Sequence, residues 1–256
     1  MEILSIFAKK KGMKRLFALL VAMIGLTAAY SQGNYETDEF TTKSGKTVKM
    51  HALMHASVRI EYDGKEIQID PVSNLRDRTV DYTVMPKADY IFVTHEHRDH
   101  YDVNALKILM ADKTQLVMNK RCADMFGAGQ VMVNGDKMQI ADDFSVDAVP
   151  AYNYSPDKLD KHPKNRDNGY ILTIDGLRIY FAGDTEDIPE MEGIKDIDVA
   201  FFPCNNPTMS AEQFVRAAKL IKPKVLFPYH YTPADISTIP SQLQGEGIDV
   251  RIRHFD

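Results

Sequence analysis

Seven consecutive residues constrain this chain more than any others: Thr94-His95-Glu96-His97-Arg98-Asp99-His100, closing an apolar run that starts at Tyr90. The run Tyr90–Thr94 reads as a short buried strand. Three imidazoles and a carboxylate at its end form a dense set of metal ligands, and nitrogen with oxygen donors suits zinc, manganese or iron. Side chains two apart in an extended chain share a face, so His95 and His97 can converge on one ion as the chain leaves the sheet. Asp99 and His100 sit offset on the following turn, where they can point to a second ion nearby.

The rest of the pattern says what kind of sheet this strand joins. Val58–Tyr62 alternates, Asp63-Gly64 turns, and Glu66–Asp70 resumes as a strand, which reads as a hairpin. A helix is predicted over Val103–Met110 and a strand over Gln115–Met118. The second half is built alike, with strands over Phe144–Val149, Tyr170–Ile174 and Leu177–Phe181, and Asp175-Gly176 turning between the last two. A strand follows over Val199–Phe202. Ser210-Ala211-Glu212-Gln213 is a capping box that opens a helix reaching Ile221. Lys224–Pro228 and Val250–Arg253 close the series. Each half opens with hairpins and ends in strand–helix alternation, the order expected of an α/β four-layer αββα sandwich. No repeat or linker divides the chain.

The N-terminus is expected not to belong to that fold. Lys9, Lys10, Lys11, Lys14 and Arg15 precede an apolar stretch from Leu16 to Tyr30, and Ala29-Tyr30-Ser31 offers a small-residue cleavage site. That is the form of a signal peptide over residues 1–31, with residues 32–256 as the mature domain; Met13 would serve equally well as its start. The expected location is periplasmic or extracellular, without stable membrane insertion after cleavage. Of the 31 Lys/Arg and 36 Asp/Glu, the segment holds five and one, so 26 and 35 remain, a net charge of −9. A surface that acidic argues against nucleic acid as substrate or partner and leaves a small molecule. Two cysteines, Cys122 and Cys204, are too few for a disulfide framework.

His-x-His-x-Asp-His after a strand resembles the signature of the metallo-β-lactamase superfamily. Further segments resemble its branch related to ascorbate phosphate lactonases: Met54-His55-Ala56-Ser57, Ile69-Asp70-Pro71, Gly183-Asp184-Thr185, and Pro228-Tyr229-His230-Tyr231. The resemblance covers nearly the whole chain beyond the leader. It implies that His95 and His97 bind a first metal, that Asp99, His100 and His230 bind a second, and that Asp184 bridges them. Zinc is the favoured ion, one or two per chain, with manganese or iron as alternatives. Asp99 would also orient the nucleophile or protonate the leaving group. His55 falls near the metals as a substrate or supporting group, or is a structural histidine.

One departure stands out. The superfamily supplies a third His to the first metal between the first motif and Gly183-Asp184, yet Val149-Pro150-Ala151-Tyr152-Asn153-Tyr154 holds none. Either Asn153 lines a weaker site, or His162 reaches in from the following loop as a ligand or a substrate contact, or the site is poorly filled. Cys204 is either a ligand at a strand end or a small buried thiol. Asp70 reads as an orienting carboxylate, Thr208 as a helix cap or substrate contact, and Tyr152, Tyr154 and Tyr231 as pocket walls or packing. His51 and His254 have no motif around them. The function expected is an exported metal-dependent hydrolase of a small ester, lactone, amide or phosphodiester. The alternative is a metal- or ligand-binding protein of the same fold with little turnover.

Overall fold

A computed structural model of the protein describes residues 35–255; the segment expected to be a signal peptide, residues 1–31, lies outside the described residues. The first half comprises β1 (Thr37–Thr41), β2 (Thr47–Met54), β3 (Ser57–Tyr62), β4 (Lys65–Ile69), the two-residue strands β5 (Asn74–Leu75) and β6 (Arg78–Thr79), and β7 (Tyr90–Val93). It continues through α1 (Val103–Leu109), β8 (Gln115–Met118), α2 (Lys120–Phe126) and β9 (Gln130–Val131). The second half comprises β10 (Lys137–Ala141), β11 (Phe144–Ala151), β12 (Asp167–Ile174), β13 (Leu177–Phe181), β14 (Val199–Pro203), α3 (Ala211–Ile221), β15 (Val225–Tyr229), α4 (Ile239–Gln242) and β16 (Asp249–Val250).

Each half builds one seven-stranded sheet, ordered β1-β2-β3-β4-β7-β8-β9 and β10 through β16, while β5 and β6 pair as a separate small hairpin. In both sheets a meander of antiparallel strands gives way to parallel ones, from β4–β7 in the first and β13–β14 in the second. Asp63-Gly64 and Asp175-Gly176 are the turns of two of the hairpins. Both residues of each have positive φ (48° and 73°, 43° and 78°), the backbone that a two-residue hairpin with right-handed twist demands.

Alternation along the strands splits the side chains between two cores. Val58, Ile60, Ile69 and Phe92 of the first sheet meet Val146, Leu172, Ile179, Phe181, Phe201 and Phe227 of the second in the inter-sheet layer. On the outer face of the second sheet, Ile171, Tyr180, Ala200, Phe202 and Leu226 pack with Phe214, Ala217, Ala218 and Ile221 of α3. The capping box at Ser210–Gln213 is present, with both reciprocal bonds formed. Ile91, Val93, Leu116 and Met118 are buried away from the inter-sheet layer. The crossover helices α1 and α2 bury Leu106, Leu109 and Cys122 and contribute nothing to that layer, so they cover this other face. The four-layer order follows.

Several elements differ from the pattern-based expectation. β1 and β10 are edge strands that went unread; β1 has Phe40 as its one large apolar residue, whereas β10 does alternate, with Met138 and Ile140 packed on the core. The strand expected at Val250–Arg253 pairs only over Asp249–Val250, because Arg251 and Arg253 turn to form ion pairs with Asp38. Helix α2 went unanticipated although its caps are legible: Asn119 accepts from Cys122 N–H, and Gly127 ends it at φ 81°.

Candidate metal centre

Strand direction decides which loops meet. β4 and β7 run parallel in the first sheet, and β13 and β15 in the second; β2 and β11 run with them because each lies two antiparallel steps from β4 or β13, and the residues after all six meet at one edge. The residues that follow these six strands are His55, Asp70, His95–His100, His162 in the β11–β12 loop, Asp184 and His230. Parallel strands place ligands at their C-terminal ends for this reason. Six of the eight histidines in the chain are gathered here.

They form two groups. His95, His97, His162 and Asp184 each offer one donor atom, all within 4.8 Å of one another; so do His55, Asp99, His100 and His230. Asp184 stands between the groups. Its Oδ2 lies 3.6 Å from His95 Nε2, 3.5 Å from His162 Nε2 and 3.3 Å from His230 Nε2, and its Oδ1 lies 3.2 Å from His100 Nε2. Asp99 Oδ2 lies 3.3 Å from His55 Nε2 and 3.7 Å from His230 Nε2. Gly183 lets the chain reach this point: its φ is +65°, and a Cβ there would sit 3.0 Å from Asn168 O. Asp70, His55 and His230 also have positive φ (42°, 57°, 47°), a strained backbone concentrated at the site.

Buried partners set the ring orientations. Asp70 accepts from Thr94 N–H and the Thr94 hydroxyl, and from His100 Nδ1 at 2.8 Å. Because the Thr94 hydroxyl proton goes to Asp70, His95 Nδ1 must donate to Thr94 Oγ1, which leaves His95 Nε2 as a lone pair facing the centre. Asp167, held by Arg166 and Asn119, accepts from His162 Nδ1 at 3.0 Å and turns His162 Nε2 inward in the same way. Carboxylates behind imidazoles are the usual means of fixing a ligand tautomer.

Electrostatics match that geometry. Burial, with the neighbouring His100 adding to it, holds the His95 imidazole well below its ordinary range. Burial lowers His55 to about 4 against the opposing pull of the Asp99 carboxylate, 3.3 Å away. For His230 burial is outweighed by Asp184 and Asp99, and its value rises to about 9. For His100 too, burial is outweighed, by Asp184 and Asp70, and its value is raised. Buried carboxylates thus draw positive charge into the centre.

The donor set fits divalent metal. His95 Nε2, His100 Nε2, both ring nitrogens of His55 and of His230, and Asp184 Oδ1 are all buried without a hydrogen-bond partner. Unsatisfied buried polar atoms cost roughly 1–3 kcal/mol each, so a concentration of them at one point needs a ligand. Three nitrogens and a carboxylate oxygen per group suit a first-row transition ion.

The structure brings together every residue expected as a ligand: His95, His97, Asp99, His100, Asp184 and His230. His162 comes in from the loop to the place where a third histidine was missing. Asn153 turns its amide toward the carbonyls of Pro207 and Thr208, while its N–H binds His162 O at 2.8 Å, so it supports the loop. Of the two readings of Cys204 the structure favours the buried thiol: it belongs to the apolar layer under α3, its thiol is pushed up to about 12 by burial, and it joins neither group. His55 stands inside the second group at ligand distance rather than behind it. Thr208 bonds Asn205 O, and Tyr152 donates to Glu190, both local packing roles. His51 and His254 pair with Glu61 and Glu36 away from the centre. Asp167 and Glu186 went unread in the sequence; lone carboxylates without a motif carry no local signal.

A family profile described as Beta-lactamase superfamily domain matches residues 49–230. A UPF0173 metal-dependent hydrolase of Thermococcus kodakarensis is 32% identical over 197 residues, 72% of this chain and 84% of the relative. A crystal structure from Parabacteroides distasonis, provisionally designated a metal-dependent hydrolase, is 46% identical with a TM-score of 0.84, covering 87% of this chain and 100% of that one. Igni18, described as a novel metallo hydrolase of Ignicoccus hospitalis, is 28% identical with a TM-score of 0.67, covering 80% of this chain and 94% of its own.

Proposed function

The chain belongs to the β-lactamase superfamily and is a metal-dependent hydrolase, and from that premise we propose an exported enzyme with two transition ions, zinc favoured, acting on a small ester, lactone, amide or phosphodiester. The observation that carries the two-ion reading is Asp184, whose two carboxylate oxygens face both histidine groups. His95, His97 and His162 would hold one ion, His55, Asp99, His100 and His230 would surround the other, and Asp184 would serve both.

Ions bound there would lower the pKa of a water and polarise the scissile carbonyl or phosphoryl group. The protein's own part is narrower. Asp70, Thr94 and Asp167 keep the imidazole lone pairs aimed inward by holding the opposite ring nitrogens. Asp99 is the one carboxylate of the centre that also lines the open cleft, with its side chain 29% exposed. Its Oδ2 is therefore placed to take a proton from the attacking water and return it to the leaving group. His55, neutral near pH 7, packs against His230 with ring centroids 3.9 Å apart and holds Asp99 in place.

Support for export comes from the basic and apolar leader alone. The binding-protein alternative drew on the missing third histidine, and His162 removes that ground. The test is a screen of ester, lactone, amide and phosphodiester probes with the metal-loaded protein and its Asp99→Asn variant. Chelator-sensitive hydrolysis that falls by about two to four orders of magnitude in the variant is the expected result. Metal-loaded protein inert toward all four classes would count against turnover.

A further inference from the structure

Six of the ten arginines in the described residues are committed to carboxylates: Arg59, Arg121, Arg166, Arg216, Arg251 and Arg253. Of the four without a salt bridge among the described residues, three line the two cavities beside the metal centre. Arg76 and Arg98 line an open cleft of about 570 Å³ that also contains Asp99 and Tyr101. Arg76 and Arg78 line a smaller cavity of about 60 Å³ that touches His55. On a chain this acidic, unpaired guanidinium groups concentrated at one opening are a departure that packing does not require.

The acidic residues of the same cleft do not cancel them. Both Asp102 oxygens accept from backbone N–H groups, of Ser73 on one side and of Asn104 and Ala105 on the other. Asp99 faces His55 and His230. Arg76 is anchored but not consumed: it sits at the tip of the β5–β6 hairpin and gives one N–H to Thr232 O, two residues beyond His230, at 2.9 Å. The rest of its planar fork is available. Tyr101 adds a hydroxyl that is buried, lacks a partner and lines the cleft.

We infer that the substrate carries an anionic group, a carboxylate or a phosphate, held by Arg76 and Arg98 in this cleft while the bond to be cleaved faces Asp99 and the metal centre. The inference rests on the hydrolase reading above and narrows its substrate class. Guanidinium groups bind such anions through paired, charge-assisted hydrogen bonds, and an unpaired cationic mouth on an acidic surface also draws anions toward it. The β5–β6 hairpin is then a specificity element, because its tip lines both cavities.

The experiment compares 4-nitrophenyl acetate with 4-nitrophenyl hydrogen succinate, an ester of the same leaving group bearing a free carboxylate. The metal-loaded protein is assayed beside an Arg76→Gln/Arg98→Gln variant and an Arg76→Lys/Arg98→Lys variant. The wild type should favour the anionic ester by about tenfold or more in kcat/KM, a preference that weakens with added salt. The ratio should collapse toward one in the Gln variant and return in part with Lys. A wild-type ratio near one, or an unchanged ratio in the Gln variant, overturns the inference. Calorimetric titration with succinate and with inorganic phosphate supplies the second readout and separates the two anion types. If no ester is cleaved, the hydrolase reading fails while this readout still decides: anion binding lost in the Gln variant upholds the cleft, and no binding, or equal binding in the variant, overturns it.

Discussion

Asp70 touches three groups of the centre at once: the Thr94 N–H, the Thr94 hydroxyl and His100 Nδ1. It is fully buried, follows β4 and sits at φ 42°, a conformation that Asn also tolerates. Asp70→Asn therefore preserves the backbone while removing an acceptor, so His100 loses its orientation and His95 its fixed tautomer. Metal affinity should fall by about 10–100-fold, read by competition with a chromophoric chelator, with an unchanged circular dichroism spectrum. Wild-type affinity in that variant would show that the rings orient themselves. Gly183 acts by absence of a side chain. A methyl there meets Asn168 O at 3.0 Å and Thr94 Cβ at 3.3 Å in a left-handed backbone. Gly183→Ala should cost roughly 1–3 kcal/mol in denaturant unfolding, with Asp184 displaced. Single residues were readable in the sequence wherever they fall in a dense motif, as at His95–His100. Asp167 was not, because its role depends on a ring five positions away folding back onto it.

Among the elements, the β11–β12 loop explains why the third histidine was hard to place. Motif spacing points to Val149–Tyr154, at the strand end, whereas the chain runs on and doubles back to deliver His162. The return is fixed by Asn153 N–H to His162 O and by Glu186, whose buried carboxylate accepts from the N–H groups of Tyr154 and Ser155 and from Gln213. The Glu186 contacts span 27 to 32 residues, so no local pattern announces them. Burial would raise the Glu186 carboxyl, but those donors outweigh it and hold it below its ordinary value of 4.5. A carboxyl lowered in the fold adds stability that is complete above its ordinary pKa and lost as pH falls through the folded value. The gap in thermal midpoint between wild type and Glu186→Gln should therefore be largest near neutrality and close as pH drops below about 4.5. A gap constant across that range would mean the loop does not depend on the charge. Strand-to-helix alternation and both Asp-Gly turns were legible because they are local; edge strand β1 was not, because with one large apolar residue it is defined by pairing rather than composition.

In the molecule as a whole, two similar halves face each other across one apolar layer and present their strand ends to a common edge. Phe201 lies at the middle of that layer, stacked between Phe181 at 4.7 Å and Phe227 at 4.8 Å. Phe201→Ala should cost ~3–5 kcal/mol in denaturant unfolding, because the neighbouring rings cannot all collapse into the gap. A loss under ~1 kcal/mol would indicate a loosely packed interface. The metal centre joins the halves too, since His55, Asp99 and His100 come from one and His162, Asp184 and His230 from the other. Whether that centre holds two ions is decided by the metal content of the purified protein, measured beside His162→Ala, His230→Ala and Asp184→Ala. Close to two transition ions per chain are expected in the wild type, about one in each histidine variant, and the fewest in the Asp184 variant, whose carboxylate serves both groups. Protein that stays free of metal after reconstitution with zinc, manganese or iron, or variants that bind as much as the wild type, would contradict a shared two-ion centre.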